Sequence, residues 1–144
     1  MVKDNQTYPE KYFNELLTLE KKRRKRSEES ALLMLADLSA FTDVSERQQI
    51  AQSMMDVFSN VIRDTDVKGW HVDGVVMGII FTEMASKGAT FSMVQRYVAS
   101  KCLWHLKSHF GAEAFSRIQI GWQTLHSEYI REIHTVKVSS EQQA

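Results

Sequence analysis

Asp66-Val67-Lys68-Gly69-Trp70-His71, then Val72-Asp73-Gly74, then Val75-Val76-Met77-Gly78-Ile79-Ile80-Phe81: two β-rich runs flank an Asp-Gly pair, a strong short-range signal for a β-hairpin. Asp and Gly tolerate the backbone angles of a tight reversal, so residues 66–71 and 75–81 are predicted to be antiparallel neighbours. Upstream, Ala31-Leu32-Leu33-Met34-Leu35-Ala36 is an unbroken apolar run bounded by Ser30 and Asp37, as expected for a central strand covered on both faces. Between these strands Ser45 and Gln48 can form a capping box, and Ile50, Met54, Val57, Phe58 and Val61 recur on one face of a helix.

The pattern continues outward. Pro9 suits a first helical turn, and Tyr12, Phe13, Leu16, Leu17 and Leu19 predict a helix over 9–26. That helix ends in six consecutive cations, Lys21 to Arg26, which read as a solvated last turn favoured by the helix dipole or as an anion patch, with Glu28 and Glu29 close behind. Downstream, Thr90 can cap a helix with Phe91, Val94, Val98 and Cys102 inward and Gly111 as its stop. Residues 115–125 read as a fourth strand, 128–138 as mildly amphipathic, and 139–144 as a frayed end. A helix followed by βαββαβ predicts an α+β, ferredoxin-like fold: a four-stranded antiparallel sheet with two helices on one face. The predicted division is a lead-in helix with a basic end over 1–29, the main domain over 30–126 and a tail over 127–144. In such a sheet the first and third strands are adjacent, so Asp37 and the Asp73 hairpin should meet at one edge.

Charge narrows the function classes. Eighteen Lys and Arg balance eighteen Asp and Glu, so no global field recruits nucleic acid or acidic lipid, and nucleic acid is not an expected partner. Cys102, the single cysteine, allows no intrachain disulfide and sits without metal-ligand spacing. No run approaches the 18 or so apolar residues of a membrane span, so neither insertion nor export is expected and the cytoplasm is the default compartment.

Two carboxylates at one sheet edge could hold divalent cations against a nucleoside triphosphate. A strand-end Asp and a hairpin Asp-Gly also serve turns and caps. Ala36-Asp37-Leu38-Ser39-Ala40-Phe41-Thr42 resembles the motif after the first strand of class III nucleotide cyclases, and is similar to the Asp-x-Asp-x-Phe of GGDEF-type diguanylate cyclases. Arg63-Asp64-Thr65-Asp66 stands five residues ahead of Val72-Asp73-Gly74-Val75-Val76, the spacing of the Arg-x-x-Asp that precedes the GGDEF signature. The lead-in helix and Ile118-Gln119-Ile120-Gly121 also resemble that family, so the likeness spans roughly 8–125.

The resemblance implies a degenerate GGDEF or cyclase-like domain. Aligned from Arg63, the signature's glycines fall on Val72 and Asp73, its acidic pair on Gly74 and Val75, and its aromatic on Val76. Ser39 replaces the second Asp of the strand-one motif, and the stretch from Phe41 to Arg63 is too short for the family's base- and phosphate-holding segment. In the class III register Asp73 becomes the second metal ligand after Asp37, yet Val72 stands where that family has Gly and the chain ends before its transition-state Asn and Arg. The implied function is a non-catalytic regulatory domain in bacterial signalling. It would act as a cyclic di-GMP receptor through Arg63 and Asp66, or as a protein-docking or homodimerising module. The alternative is a residual nucleotide cyclase with Mg²⁺ on Asp37 and Asp73. In the receptor reading Arg63 offers its fork to guanine or phosphate and Asp66 accepts from guanine N–H groups, both exposed. In the structural reading the two simply pair. His105 and His109, at i and i+4, could clamp a metal but lack a third ligand; Trp70, Trp104 and Trp122 read as core or interface aromatics, and His71, next to the hairpin, reads as a candidate base or, more commonly, an exposed strand residue.

Overall fold

The computed structural model of the protein describes residues 7–26, 31–82, 91–125 and 135–137. Its elements are β1 (Thr7–Tyr8), α1 (Glu10–Arg26), β2 (Ala31–Asp37), α2 (Val44–Ser59), β3 (Val67–Val72), β4 (Val76–Phe81), α3 (Phe91–Ser116), β5 (Gln119–Leu125) and β6 (Thr135–Lys137). The architecture is α+β. Instead of four strands, one sheet holds six in the order β1-β3-β4-β2-β5-β6. β1 runs parallel to β3 at one edge, and β6 pairs antiparallel with β5 at the other. The inner pairs β3·β4, β4·β2 and β2·β5 are all antiparallel.

Period-2 alternation explains why β2 reads as unbroken apolar sequence. Leu32, Met34 and Ala36 face α2 and α3, where they join Met54, Phe58, Cys102, Leu106 and Trp122. Ala31 and Leu33 face the opposite way, toward Phe13 and Leu17 of α1, with Ile80 and Leu125 alongside. Helices therefore cover both faces, two on one side and α1 on the other.

The seat of α1 is cut by two glycines. Gly69 and Gly78 are cross-strand partners in β3 and β4. A Cβ on Gly78 would lie 2.6 Å from Phe13 Cζ, and one on Gly69 would lie 2.7 Å from Phe13 Cδ1 and 2.7 Å from the Tyr8 carbonyl oxygen. The fully buried Phe13 ring rests on bare backbone, which only paired glycines provide.

Several expected boundaries move. Asp43, not Ser45, is the N-cap of α2, its side chain accepting from Ser45 N. The helix expected to stop at Gly111 does break there, with φ 80° and ψ 171°, but a further helical turn runs on to Ser116. Phe115 is therefore helical and β5 begins four residues later than its apolar pattern suggests, at Gln119. Within the stretch read as mildly amphipathic, Thr135–Lys137 is an edge strand, while the proposed cap Thr90 and the end at 139–144 lie outside the described residues. No described helix is long and apolar enough to cross a membrane.

Candidate functional site

The carboxyl end of β2, the hairpin tip and the start of α2 converge at one end of the sheet. Asp37 pairs in register with Val76 of β4 and Gln119 of β5, and Leu38 N donates to Val75 O at 2.8 Å. Asp37 thus stands beside the hairpin at the expected edge.

The hairpin closes through three residues, 73–75, with Val72 opposite Val76 and Gly74 at φ +74°. Positive φ is the reason for glycine here. The ladder shifts register between Trp70 and Val72, a bulge that leaves the His71 carbonyl to accept from Asn14 Nδ2 at 3.0 Å. The Asn14 amide oxygen is 2.7 Å from His71 Nδ1. Because that oxygen can only accept, His71 donates from Nδ1, and the ring is an anchor for α1 rather than an exposed strand histidine.

Asp73 is engaged in the same docking. Its Oδ1 accepts from Glu10 N at 2.9 Å, and Glu10 Oε1 accepts from Asp73 N at 2.8 Å. This is a reciprocal cap between residues 63 apart in sequence: the hairpin Asp satisfies an orphan N–H of α1, and the first-turn Glu satisfies the tip. Asp37 Oδ1 meanwhile accepts from Ser39 N at 2.9 Å, an Asx turn that starts the β2–α2 loop.

Two arginines complete this end. Arg47 on α2 donates from Nε to Gly74 O at 2.9 Å and from Nη1 to Phe41 O at 3.1 Å. Arg117 lies over the Phe41 ring at 4.2 Å and reaches Glu46 at 3.7 Å. Neither these arginines nor Glu10 and Asn14 was singled out from sequence. Among the described residues no three His, Cys, Asp or Glu side chains gather as a metal site. Asp37 and Asp73 share an edge, but each turns an oxygen to a different backbone N–H, an arrangement that fits a two-cation phosphate clamp poorly.

Arg63 and Asp66 lie at the other end of β3. The Asp66 side chain is 2% exposed and that of Arg63 55%. Asp66 Oδ2 accepts from Arg63 N at 2.8 Å, and Oδ1 accepts from Thr82 N at 3.1 Å. Arg63 Nη2 donates to the Thr82 carbonyl and approaches Asp66 Oδ1 at 3.4 Å. The expected exposure thus holds for Arg63 and not for Asp66, because the carboxylate is drawn inward to splice the β3 entry to the β4 exit. Nη2 belongs to both bidentate edges of a guanidinium, so spending it on Thr82 and Asp66 leaves Arg63 without a complete fork.

Beside Thr65 and Thr82 a cleft of about 410 Å³ opens under the second half of α1, lined also by Glu20, Arg23 and Arg24. The basic run is not wholly solvated here. Arg24 is buried and pairs with buried Glu20 at 3.0 Å, whereas Arg23 reaches Glu20 at 3.5 Å from solvent. Trp122 is buried in the core, Trp70 is half-buried in β3, and Trp104 is 65% exposed on α3. His105 and His109 stack edge-on against their own neighbours Trp104 and Phe110. Cys102 is fully buried, and desolvation is the largest cause of a thiol pKa raised from its ordinary 9.0 to about 12.

No protein-family model matches the chain, and no curated protein does.

Proposed function

We propose that the protein is a non-catalytic regulatory domain of GGDEF or cyclase descent that acts by docking to a protein partner rather than by turnover. In this reading the inner strands β3-β4-β2-β5 are a ferredoxin-like core, to which β1, β6 and α1 have been added. The observation that carries it is the employment of the polar residues that the nucleotide chemistry would need. Asp73 caps α1, Asp37 turns the β2–α2 loop, Asp66 is buried against two backbone N–H groups, and Arg63 Nη2 is spent on Thr82. Each group that would touch cation, phosphate or guanine instead holds an element in place, whereas large apolar side chains on α3 face solvent.

A cyclic di-GMP receptor is the second reading, favoured by the exposure of Arg63 next to a cleft that also carries Arg23. Calorimetric titration with cyclic di-GMP, and with guanosine or adenosine triphosphate plus Mg²⁺, separates the readings. The docking reading expects no saturable heat and no cyclised product. Saturable cyclic di-GMP binding lost in Arg63→Ala would replace it with the receptor, and product formation abolished by Asp37→Ala would restore a cyclase.

A further inference from the structure

Met93, Tyr97 and Trp104 on α3 are 60%, 67% and 65% exposed. At about 100° per residue they fall within roughly 40° of one another on the helix, a stripe about 16 Å long. Cys102 and Leu106, both fully buried, lie on the opposite side. The helix is thus apolar on two faces, one packed on the sheet and one turned to water. Large exposed aromatics and methionine on one stripe mark an interaction surface, since these residue types are enriched where proteins bind.

Charge says what kind of partner. From Phe91 to Ser116 the sequence holds three cations, Arg96, Lys101 and Lys107, and one acid, Glu113. Arg96, Lys101 and Lys107 are all exposed. On the same helical projection Arg96 and Lys107 border one side of the stripe and Lys101 the other, while Glu113 lies away from it beyond Gly111. Ser100 falls between Tyr97 and Trp104, a notch that a facing side chain can fill.

We infer that the Met93–Tyr97–Trp104 face of α3 receives an amphipathic helix of a partner protein, with apolar residues on one side and Asp or Glu along its margins. This rests on the docking reading and names its surface. A second copy fits less well, because two-fold pairing of the same face sets these cations against their equivalents. An anionic bilayer fits less well too, since interfacial helices keep a polar face in water, and here the reverse face of α3 lies in the core.

The test uses the full chain and a fluorescein-labelled synthetic helix of about twenty residues, with Leu at i, i+3, i+4 and i+7 and Glu flanking them; a second peptide carries Lys in place of Glu. Anisotropy should report saturable binding of the Glu peptide, roughly 10 to 100 μM and weakened by salt. Trp104→Ala should weaken it at least tenfold, and so should the Arg96→Glu/Lys101→Glu pair, with far-UV circular dichroism unchanged. Three outcomes would overturn the proposal: equal binding of both peptides, binding of phosphatidylserine vesicles with none of the Glu peptide, or a dimer in sedimentation that Trp104→Ala dissolves. Failure of the peptide arm alone removes α3 as the docking surface, whereas saturable cyclic di-GMP binding or turnover removes the docking reading itself.

Discussion

Asp66 and Arg63 show how differently two members of one short motif can be employed. Asp66 is buried and serves Arg63 N and Thr82 N, while the Arg63 side chain is half in water. Removing a carboxylate that accepts two backbone N–H bonds leaves those donors without a charged partner, at a cost of about 2 to 4 kcal/mol. Removing an exposed guanidinium costs under about 1 kcal/mol. Urea denaturation should therefore rank Asp66→Ala well below Arg63→Ala in stability; equal losses would make the guanidinium the anchor. Cys102 gives a pH prediction. Burial holds its thiol neutral to about pH 12 in the folded chain against an ordinary 9.0. Unfolded chains release that proton first as the pH rises, so binding fewer protons in the unfolded state lowers stability between those values and leaves it unaffected below them. The urea midpoint should fall more steeply between about pH 9 and 11 for the wild type than for Cys102→Ala. Parallel slopes would mean the thiol is not held neutral.

At the scale of elements, the contact between α1 and the sheet is a shape match that tolerates little addition. A methyl on Gly78 would stand 2.6 Å from Phe13 Cζ and 2.7 Å from Cε2, and the ring, 0% exposed, has nowhere to swing. Gly78→Ala should cost about 1 to 3 kcal/mol by overpacking. Phe13→Leu in the same chain should recover at least about 0.5 kcal/mol relative to the sum of the single changes, and strict additivity in a denaturation cycle would refute the contact. Gly111 is different: among the described residues no heavy atom beyond its chain neighbours and its own helix backbone lies within 4 Å of an added Cβ, yet φ is +80° with ψ at 171°. That region belongs essentially to glycine, so Gly111→Ala should lose about 1 to 3 kcal/mol through the backbone alone, and an unchanged Tm would rule out the kink. These features also mark what local pattern can convey. The run at 31–36 and, within the stripe of α1, Phe13 and Leu17 were legible because burial imposes period 2 and period 3.6 directly on residue choice, whereas Tyr12 and Leu19 of the same expected stripe face solvent. Gly111 was legible as a break, but nothing local says that the chain resumes a helical turn after it, so buried Phe115 read as strand. Asp43 was a legible cap type, hidden by the more conspicuous Ser45 and Gln48 pair. Of the site, the shared edge of Asp37 and the hairpin followed from strand order. The use of Asp73 did not, because its partner Glu10 is 63 residues away and no spacing rule links them.

For the whole molecule, the decisive feature is that the sheet has no solvent face to spare near its centre. Leu33 and Ile80 look toward α1 while Leu32 and Ile79 look toward α2 and α3, and all four are at most 2% exposed. A division of the chain into a lead-in helix and a separate domain would require the back of the sheet to stand alone in water. Phe13 and Leu17 of α1, with Leu33, Ile80 and Leu125 beneath them, are five buried side chains that share this seam. At about 1.5 to 3 kcal/mol each, their burial is worth on the order of 10 kcal/mol. That is comparable with the whole net stability of an ordinary domain, about 5 to 15 kcal/mol. The reciprocal Glu10 and Asp73 cap and the Asn14 bonds to His71 then join the start of α1 to the same hairpin. A chain starting at Ser30 should accordingly lack dispersed amide signals in NMR spectra and aggregate through Leu33 and Ile80, and a peptide of residues 7–29 added in trans should restore part of the dispersion. A well-dispersed spectrum from the truncated chain alone would show that the sheet can do without α1, and the lead-in helix would then be a separate structural element.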